Sequence, residues 1–414
     1  MRLRSLFLAS LVTLFAPACS TPGGKVDRCV SMKSELSACI GTSFNALDCS
    51  AVSDADVDRL SALTQGGSCA LLAGALPTDG DLQSATCKLL DVGCVAPVTK
   101  APAHTPTTYP VLLVNGIDTS PLFRYSDRIV KTMTEVGGHR VFLATLTPYE
   151  APRSRAPELW TRIQEVRKTT GAAKVNLICH SLGGLDCRYA VSPSGLRADT
   201  GEDVASAVAS ITTVGTAHRG TRIADVLLGL TPDGDRGKTI EDFATLVGDW
   251  FSDDRLQSNL HLKEALRALS TANAPAFNAE IVDAPGIYYQ SWGGFSRPFG
   301  MTTPEHDARV AEECRTTSGE DGNPDFRAHD YMALTLIPFT DVVGRVTEGS
   351  SDLTPNDGLT ALSSAKWGNF RGCIPADHME QLGQRNIPDV NVRTGFDVAR
   401  FYTNVADDLQ ARGY

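Results

Sequence analysis

Short apolar runs alternate with amphipathic stretches along residues 109–414. Four short runs rich in apolar and β-branched residues lie at residues 109–114, 141–145, 175–178 and 210–214, and the first and last of them end at Asn-Gly and at a glycine. Runs this short and this rich in such residues are typical of strands buried in a parallel sheet. Intervening amphipathic stretches such as residues 158–169 predict helices between the strands. The pattern therefore predicts one α/β domain over residues 109–414.

The run at residues 175–178 leads into the sequence His-Ser-Leu-Gly-Gly at residues 180–184, and a helix-compatible stretch begins at Leu185. A sharp turn from strand to helix lifts a serine hydroxyl away from the backbone, and small neighbouring residues let a substrate approach it. Ser181 is therefore the predicted nucleophile. The plainer alternative is an ordinary Ser-Gly loop.

An acid and then a histidine follow the nucleophile in hydrolases of this layout. Asp357 lies in a Pro-Asn-Asp-Gly turn, and His378 follows it. His306 and His329 also follow Ser181 but precede Asp357, so the order selects His378 as the base and Asp357 as its partner.

Ester hydrolysis also needs two backbone N–H donors for the oxyanion. The residue after the nucleophile, Leu182, is one candidate. Ile117, in the Asn-Gly-Ile loop after the first predicted strand, is the other. An ordinary turn is the alternative for this loop.

Residues 1–18 have a basic start, an apolar stretch too short to span a bilayer and small residues at the end, which predicts an export signal peptide. Cys19 would then be either the acylated first residue of a cell-surface (outer-membrane) lipoprotein or an unmodified residue of a secreted protein. Removing Cys19 from the 11 cysteines leaves 10, an even number that suits an oxidising compartment.

Residues 19–98 predict a small, disulfide-rich, partly helical domain, because their only aromatic residue is Phe44 and so small a core needs cross-links. Its six further cysteines fit no zinc pattern: Cys29, Cys39, Cys49, Cys69, Cys87 and Cys94. Residues 99–108 predict a Pro-rich linker. The formal charge of −10, without a basic stripe, argues against nucleic acid as a partner.

Residues 109–414 resemble the secreted bacterial true lipases of the Pseudomonas and Burkholderia type. The matching stretches are residues 110–116, 175–189, 214–221, 269–278, 288–294, 356–359 and 378–384. The resemblance implies an α/β-hydrolase fold, with a mostly parallel central sheet, helices on both faces and a helical cap or lid. It places Ser181, Asp357 and His378 on the family's triad, and Ile117 and Leu182 on its oxyanion positions.

The same resemblance implies a structural calcium ion, whereas catalysis itself needs no cofactor. The positions that match the family's calcium ligands are Asp330, Glu380, Gln384 and Pro388, the last two through backbone carbonyls. Oxygen ligands of this kind suit a hard cation. Glu380 replaces the family's usual aspartate, and solvated surface acids are the alternative interpretation.

Several residues depart from the family pattern. Asn115 stands where a histidine is usual, and Cys179 replaces the first glycine of the nucleophile motif; we interpret Cys179 as a buried thiol. Strand-to-helix geometry argues against a Cys179–Cys187 disulfide, whereas Cys314 and Cys373 are a candidate pair. His218, beside a glycine turn, is expected to fix its loop by hydrogen bonds.

Residues 241–254 carry apolar side chains at helical spacing with acids between them, which predicts an amphipathic helix. The apolar residues are Phe243, Leu246, Val247, Trp250 and Phe251. Such a helix is either a lid that turns toward a lipid surface or a permanently docked cap.

Together these features predict an exported serine ester hydrolase, a triacylglycerol lipase that acts through an acyl-enzyme on lipid at an oil–water or membrane surface. A carboxylesterase or polyester depolymerase with the same triad is the enzymatic alternative. A catalytically silent cell-surface binding module is the alternative from another class. A lipase-specific folding helper is a candidate partner, and a monomer is expected.

Overall fold

The computed structural model describes residues 25–40, 57–58, 105–120, 123–230, 260–319, 322, 331–344, 354–383, 394 and 396–414. The predicted signal peptide, Cys19 and most of the cysteine-rich segment lie outside these residues. Contacts divide the chain into two compact units, one with residues 1–40 and 44–98 and the other with residues 41–43 and 99–414.

In the first unit, helix α1 spans Lys25–Ile40. Cys29, Met32 and Leu36 are buried at helical spacing, so one face of α1 packs inward. Cys29 is disulfide-bonded. Arg28 on this helix pairs with Asp58 at 2.7 Å.

The second unit is built on a six-stranded sheet in the order β2-β1-β3-β4-β5-β6, with every neighbouring pair parallel. The strands are β1 (Val111–Val114), β2 (Val141–Ala144), β3 (Val175–His180), β4 (Val208–Val214), β5 (Tyr288–Gly294) and β6 (Asn369–Ile374). The predicted parallel sheet is confirmed.

Helices cover both faces of this sheet. Side chains alternate along β1, so Val111 and Leu113 join one apolar core while Leu112 and Val114 join the other. The helices are α2 (Asp127–Lys131), α3 (Pro152–Thr170), α4 (Leu182–Val191), α5 (Leu196–Thr200), α6 (Arg222–Leu228), α7 (Leu260–Leu269), α8 (Ala274–Glu280), α9 (Pro304–Glu313), α10 (Ile337–Gly344) and α11 (Val398–Ala411).

Helix α3 starts earlier than residue 158, where the sequence pattern begins it. Pro152 occupies its first turn, where the missing N–H costs nothing, and Gly171 ends it in a left-handed conformation. Short 3₁₀ turns occur at Val204–Ala207, Pro298–Gly300 and Glu380–Leu382, and a π-helical turn at Thr132–Val136.

All six strands point the same way, so the loops that follow them open at one edge of the sheet. The loop after β1 begins at Asn115, Ser181 follows β3 directly, and Gly215 follows β4. The 3₁₀ turn Glu380–Leu382 lies beyond the end of β6. Ligand sites of open α/β sheets lie at this edge, which is where the predicted site residues converge.

None of the helices in the described parts of the chain combines the length and the apolarity that a membrane span requires.

Candidate active site

Ser181 lies in a strained turn between β3 and α4. Its backbone has φ 54° and ψ −129°, one of three non-glycine residues with positive φ among those described. Such strain persists only where the surroundings enforce it, and it clusters at functional sites. Here the Ser181 N–H donates to the Val214 carbonyl at 3.0 Å, and the Thr216 hydroxyl donates to the Ser181 carbonyl at 2.8 Å.

Two glycines make this turn sterically feasible. A Cβ at Gly116 would lie 2.9 Å from the Ser181 Cβ, and a Cβ at Gly183 would lie 2.5 Å from the Asn115 carbonyl oxygen. The loop after β1 therefore lies directly against the serine side chain. This close approach places the Ile117 loop beside the nucleophile.

Asp357 and His378 meet in a buried hydrogen bond of 2.8 Å between Asp357 Oδ2 and His378 Nδ1. A carboxylate only accepts, so Nδ1 carries the proton and Nε2 is left as the basic nitrogen. The other oxygen, Asp357 Oδ1, accepts from the N–H groups of Leu359 (3.0 Å) and Thr360 (2.7 Å). These bonds fix the plane of the carboxylate.

The Ser181 turn and the Asp357–His378 pair are neighbours. The ring of His180, the residue before the serine, lies 4.5 Å from the His378 ring between centroids. Within the described part of the chain, Ser181 Oγ makes no hydrogen bond. Catalytic hydrogen bonds are often loose without substrate and tighten only when it is bound.

Both predicted oxyanion donors are close to Ser181 along the chain or in space, since Ile117 follows Gly116, which lies against the serine side chain, and Leu182 follows Ser181 directly. Ile117 is in the loop after β1, and Leu182 is the first residue of α4, where N–H groups have no intrahelical acceptor. Neither N–H donates to another residue that the structure describes. Two unused N–H groups beside a serine hydroxyl can bind a negatively charged oxygen.

Asn115 holds this loop from within. Its side-chain oxygen accepts from the Leu146 N–H at 2.8 Å, and its amide nitrogen donates to the Gly116 carbonyl at 2.9 Å. The residue that stands at the expected histidine position thus connects the Ile117 loop to the segment after β2.

Arg155 is a site residue that the sequence analysis missed. Its guanidinium, fully buried on α3, donates to the carbonyls of Gly116 at 2.7 Å and Asn115 at 3.1 Å. It also pairs with the fully buried Asp186 of α4 at 3.0 Å. Arg155 lies one turn before Leu159 on the apolar face of its helix. A charged residue at a position where the helical pattern predicts an apolar one is the sequence signal that could have identified Arg155.

Burial raises the pKa of Asp186 to about 7, against the lowering effect of the Arg155 charge. The loss of hydration therefore outweighs the attraction of the arginine at this carboxyl group.

His218 fixes its loop, as expected. Its Nε2 bonds the Thr213 hydroxyl at 2.9 Å, its Nδ1 faces Arg188 at 3.3 Å, and its ring stacks on Trp367 at 5.3 Å. Burial first, and then the charges of Arg188 and Arg219, lower the pKa of His218 well below its usual value. His218 is therefore a neutral structural residue.

The interpretation of Cys179 as a free thiol is wrong. Cys179 at the end of β3 and Cys187 on α4 form a disulfide, with Cα atoms 7.0 Å apart and both residues fully buried. The tight Ser181 turn folds the first turns of α4 back along β3, and both cysteines point into the same apolar core. The candidate pair Cys314–Cys373 is also a disulfide and ties the end of α9 to β6.

Most of the predicted calcium and lid positions lie outside the described residues. Asp330, Gln384 and Pro388 belong to this group, as does the lid segment: Phe243, Leu246, Val247, Trp250 and Phe251. Glu380 is half-buried at the start of the 3₁₀ turn after His378, and its N–H donates to Asp377 Oδ1 at 2.8 Å. Across the described ranges, no three acidic, histidine or cysteine side chains are grouped to hold a metal.

No protein-family model matches the chain. A triacylglycerol lipase of Pseudarthrobacter phenanthrenivorans is 32% identical over 330 residues, covering 73% of this chain and 98% of the relative. A triacylglycerol lipase of Burkholderia plantarii is also 32% identical, covering 73% of this chain and 87% of the relative. The solved structure of lipase 1 from Pelosinus fermentans aligns with a TM-score of 0.48 and 19% identity, covering 73% of this chain and 99% of that chain.

The sequence relatives are matched over nearly their whole length, and the aligned part of this chain is long enough to include the six-stranded sheet and its serine turn. On this basis the chain belongs to the triacylglycerol lipase family.

Proposed function

We propose that this protein hydrolyses triacylglycerol esters through Ser181, His378 and Asp357. One observation carries the proposal: the buried Asp357–His378 hydrogen bond lies beside the strained Ser181 turn, in a chain of the triacylglycerol lipase family.

In the first half-reaction, Ser181 Oγ attacks the acyl carbon while His378 Nε2 takes its proton. The carbonyl oxygen becomes an oxyanion and receives the N–H groups of Ile117 and Leu182. His378 then gives the proton to the leaving diacylglycerol oxygen, which leaves an acyl-serine. Water repeats the sequence on the acyl-enzyme and releases the fatty acid.

Asp357 balances the imidazolium that forms in this cycle. Its carboxylate is buried, and Oδ1 accepts from the N–H groups of Leu359 and Thr360, which directs Oδ2 at His378 Nδ1. The His378 N–H also donates to the Asp357 backbone carbonyl at 2.9 Å, which keeps the two residues together. A fixed carboxylate of this kind needs no reorganisation when the positive charge appears.

The test compares emulsified long-chain triglyceride with a soluble short-chain ester, with wild-type protein and Ser181→Ala. Release of fatty acid from the emulsion that disappears in Ser181→Ala is the expected result. Turnover of the short ester alone would favour the carboxylesterase or polyester depolymerase alternative. If folded protein hydrolyses neither the emulsion nor the soluble ester, and a fluorophosphonate does not label Ser181, the binding-module alternative is favoured.

We also propose that the protein is exported and held at the cell surface through Cys19, with secretion as the alternative. The support is the signal-like sequence of residues 1–18, together with the disulfides Cys179–Cys187 and Cys314–Cys373, since disulfides persist mainly in oxidising compartments. Incorporation of labelled palmitate that is lost in Cys19→Ala is expected; unlabelled protein in the medium would indicate secretion.

A calcium ion steadying the His378 loop is a further part of the proposal, with Asp330, Glu380, Gln384 and Pro388 as ligands. Its support is the all-oxygen ligand set and the position of Glu380, two residues after His378 and half-buried. The apolar face of residues 243–251 is proposed to act as a lid at a lipid surface, on the strength of its helical spacing.

A further inference from the structure

Gln381 is buried behind the catalytic pair and bonds two residues at once. Its Nε2 donates to Asp357 Oδ2 at 2.8 Å, the same oxygen that receives His378 Nδ1–H. Its Oε1 lies 3.2 Å from His180 Nε2. Gln381 therefore links the acid of the pair to the histidine that precedes the nucleophile.

The carboxylate fixes the orientation of the Gln381 amide. Because Asp357 Oδ2 only accepts, the NH₂ group must face it and the amide oxygen must face His180. His180 then has to donate from Nε2, which leaves its Nδ1 unprotonated. Two residues are thus held in one protonation pattern by one amide.

Room for the amide comes from two glycines at the carboxyl-terminal edge of the sheet. A Cβ at Gly215 would overlap Gln381 Oε1, and a Cβ at Gly294 would overlap Gln381 Nε2. The backbone is anchored as well, because the Tyr402 hydroxyl donates to the Gln381 carbonyl at 3.0 Å. The amide is confined on both sides and cannot exchange its partners freely.

His180 stays neutral next to His378. Burial, followed by the positive charge of His378, lowers the pKa of His180 well below its usual value. Because the two rings are 4.5 Å apart, a second cation here would oppose proton uptake by His378.

We propose that Gln381 is a positioning residue for the reaction, which holds Asp357 Oδ2 toward His378 and takes its second hydrogen bond from His180 Nε2. This inference rests on the proposed ester hydrolysis and assigns a role to a residue outside the triad.

The test is a double-mutant cycle in the full-length protein, measured with a soluble p-nitrophenyl ester. Gln381→Met removes both hydrogen bonds at similar volume. A charge-assisted hydrogen bond of this kind predicts a loss of kcat of about 10- to 100-fold, with KM unchanged within about twofold. In an Asp357→Ala background the same substitution is expected to cost less than about threefold, because its main partner is already gone.

Gln290→Met is the matched control. Gln290, on β5, is also a buried glutamine, and its Nε2 donates to Thr212 Oγ1 at 2.9 Å. It forms no hydrogen bond with Asp357 or His378. It is expected to lower thermal stability but to leave kcat unchanged. If Gln381→Met does not fold, Gln381→Asn replaces it, since the shorter amide reaches only one partner and should give an intermediate loss of kcat.

Two results would overturn the positioning role of Gln381 while leaving the proposed function intact. One is an equal loss of kcat from Gln381→Met in the wild-type and Asp357→Ala backgrounds, and the other is an unchanged kcat in Gln381→Met. Absence of Ser181-dependent turnover in the wild-type protein would overturn this inference together with the proposed function.

Discussion

Arg155 and Asp186 form a fully buried ion pair, 3.0 Å between Nη2 and Oδ2, directly beneath the loop that carries Ile117. The same arginine nitrogen donates to the Gly116 and Asn115 carbonyls. The pair therefore joins α3 and α4 to the Ile117 loop. If Ile117 is an oxyanion donor, as proposed above, the pair supports a group that has to be in place before charge develops on the substrate.

Removing Arg155 should lower both stability and kcat, and a second substitution at Asp186 should restore only the stability. Arg155→Met leaves Asp186 buried without a cation, which predicts a loss of about 3–5 kcal/mol in the free energy of unfolding. The double variant Arg155→Met/Asp186→Leu should recover most of that stability, because an apolar pair replaces the ion pair. It should still have a lower kcat, since the loop carbonyls have lost their donor. Urea unfolding measures the stability of each variant, and turnover of a soluble ester measures its kcat. A wild-type kcat in Arg155→Met/Asp186→Leu would contradict a supporting role for Arg155.

The raised pKa of Asp186 predicts a specific pH dependence of stability. The carboxyl ionises near its usual value of 3.8 in the unfolded chain but near 7 in the fold, so the folded state binds more protons between these values. Stability from this group is thus highest below about pH 4 and falls as pH rises toward 7. The difference in melting temperature between the wild type and Asp186→Asn should decrease as pH rises from about 4 to 7 and should stay constant at higher pH. A difference that does not change between pH 4 and 7 would contradict the raised pKa of Asp186.

Much of the fold could be predicted because β1 is apolar throughout and β3 and β4 are rich in apolar and β-branched residues, which is typical of a buried parallel sheet. β5 and β6 carried no such signal. On β5, Gln290 bonds Thr212 and the Ser291 hydroxyl donates to the Trp367 carbonyl. Their burial depends on partners distant in sequence, so a local pattern of polar and apolar residues cannot reveal the strand.

The same limit applies to the site. The triad could be proposed from chain order, whereas Asp186 and Gln381 look like ordinary polar positions until the fold brings their partners together. For Arg155 the sequence offers only its place on the apolar face of α3, which does not reveal its partners. The Cys179–Cys187 disulfide was missed because its feasibility depends on how sharply the chain reverses at Ser181, which spacing along the sequence does not give.

The Cys179–Cys187 disulfide closes a short loop around the nucleophile, so we expect it to hold the elbow. The double variant Cys179→Ala/Cys187→Ala should lose about 2–3 kcal/mol of stability, as loop-closure entropy gives for so short a loop. Its kcat should also fall, because the strained Ser181 turn is then less well enforced. Urea unfolding and turnover of a soluble ester measure the two effects.

The pair Cys314–Cys373 is the control, since it closes a loop with a sequence separation of 59 and lies away from Ser181. Cys314→Ala/Cys373→Ala should lose more stability, about 4 kcal/mol, yet keep its kcat per folded molecule. Equal kcat in the two double variants would show that the first disulfide has no catalytic role.

Chelation should destabilise the His378 loop if calcium is bound there. We expect EGTA to lower the melting temperature and the activity of the wild-type protein, with recovery on adding Ca²⁺ but not Mg²⁺, because the proposed ligands are carbonyl and carboxylate oxygens and Mg²⁺ demands a stricter octahedral geometry. Without EGTA, Glu380→Gln should already have the lower melting temperature of the chelated wild type, and EGTA should not lower it further. Glu135→Gln, which changes an exposed acid, is the control and should lose melting temperature in EGTA as the wild type does. A fall in the melting temperature of Glu380→Gln in EGTA would exclude Glu380 as a ligand.

The predicted amphipathic helix at residues 241–254 should make activity depend on a lipid surface. If its apolar face covers the site in water, turnover of a short-chain triglyceride should jump once the concentration passes the solubility limit. Trp250→Ser/Phe251→Ser should reduce turnover of the emulsion but not of a soluble ester, because only binding to the lipid surface needs those side chains. Asp249→Asn, a change to a polar position of the same segment, should keep the jump. A smooth hyperbolic curve through the solubility limit in the wild type would instead indicate a permanently docked cap.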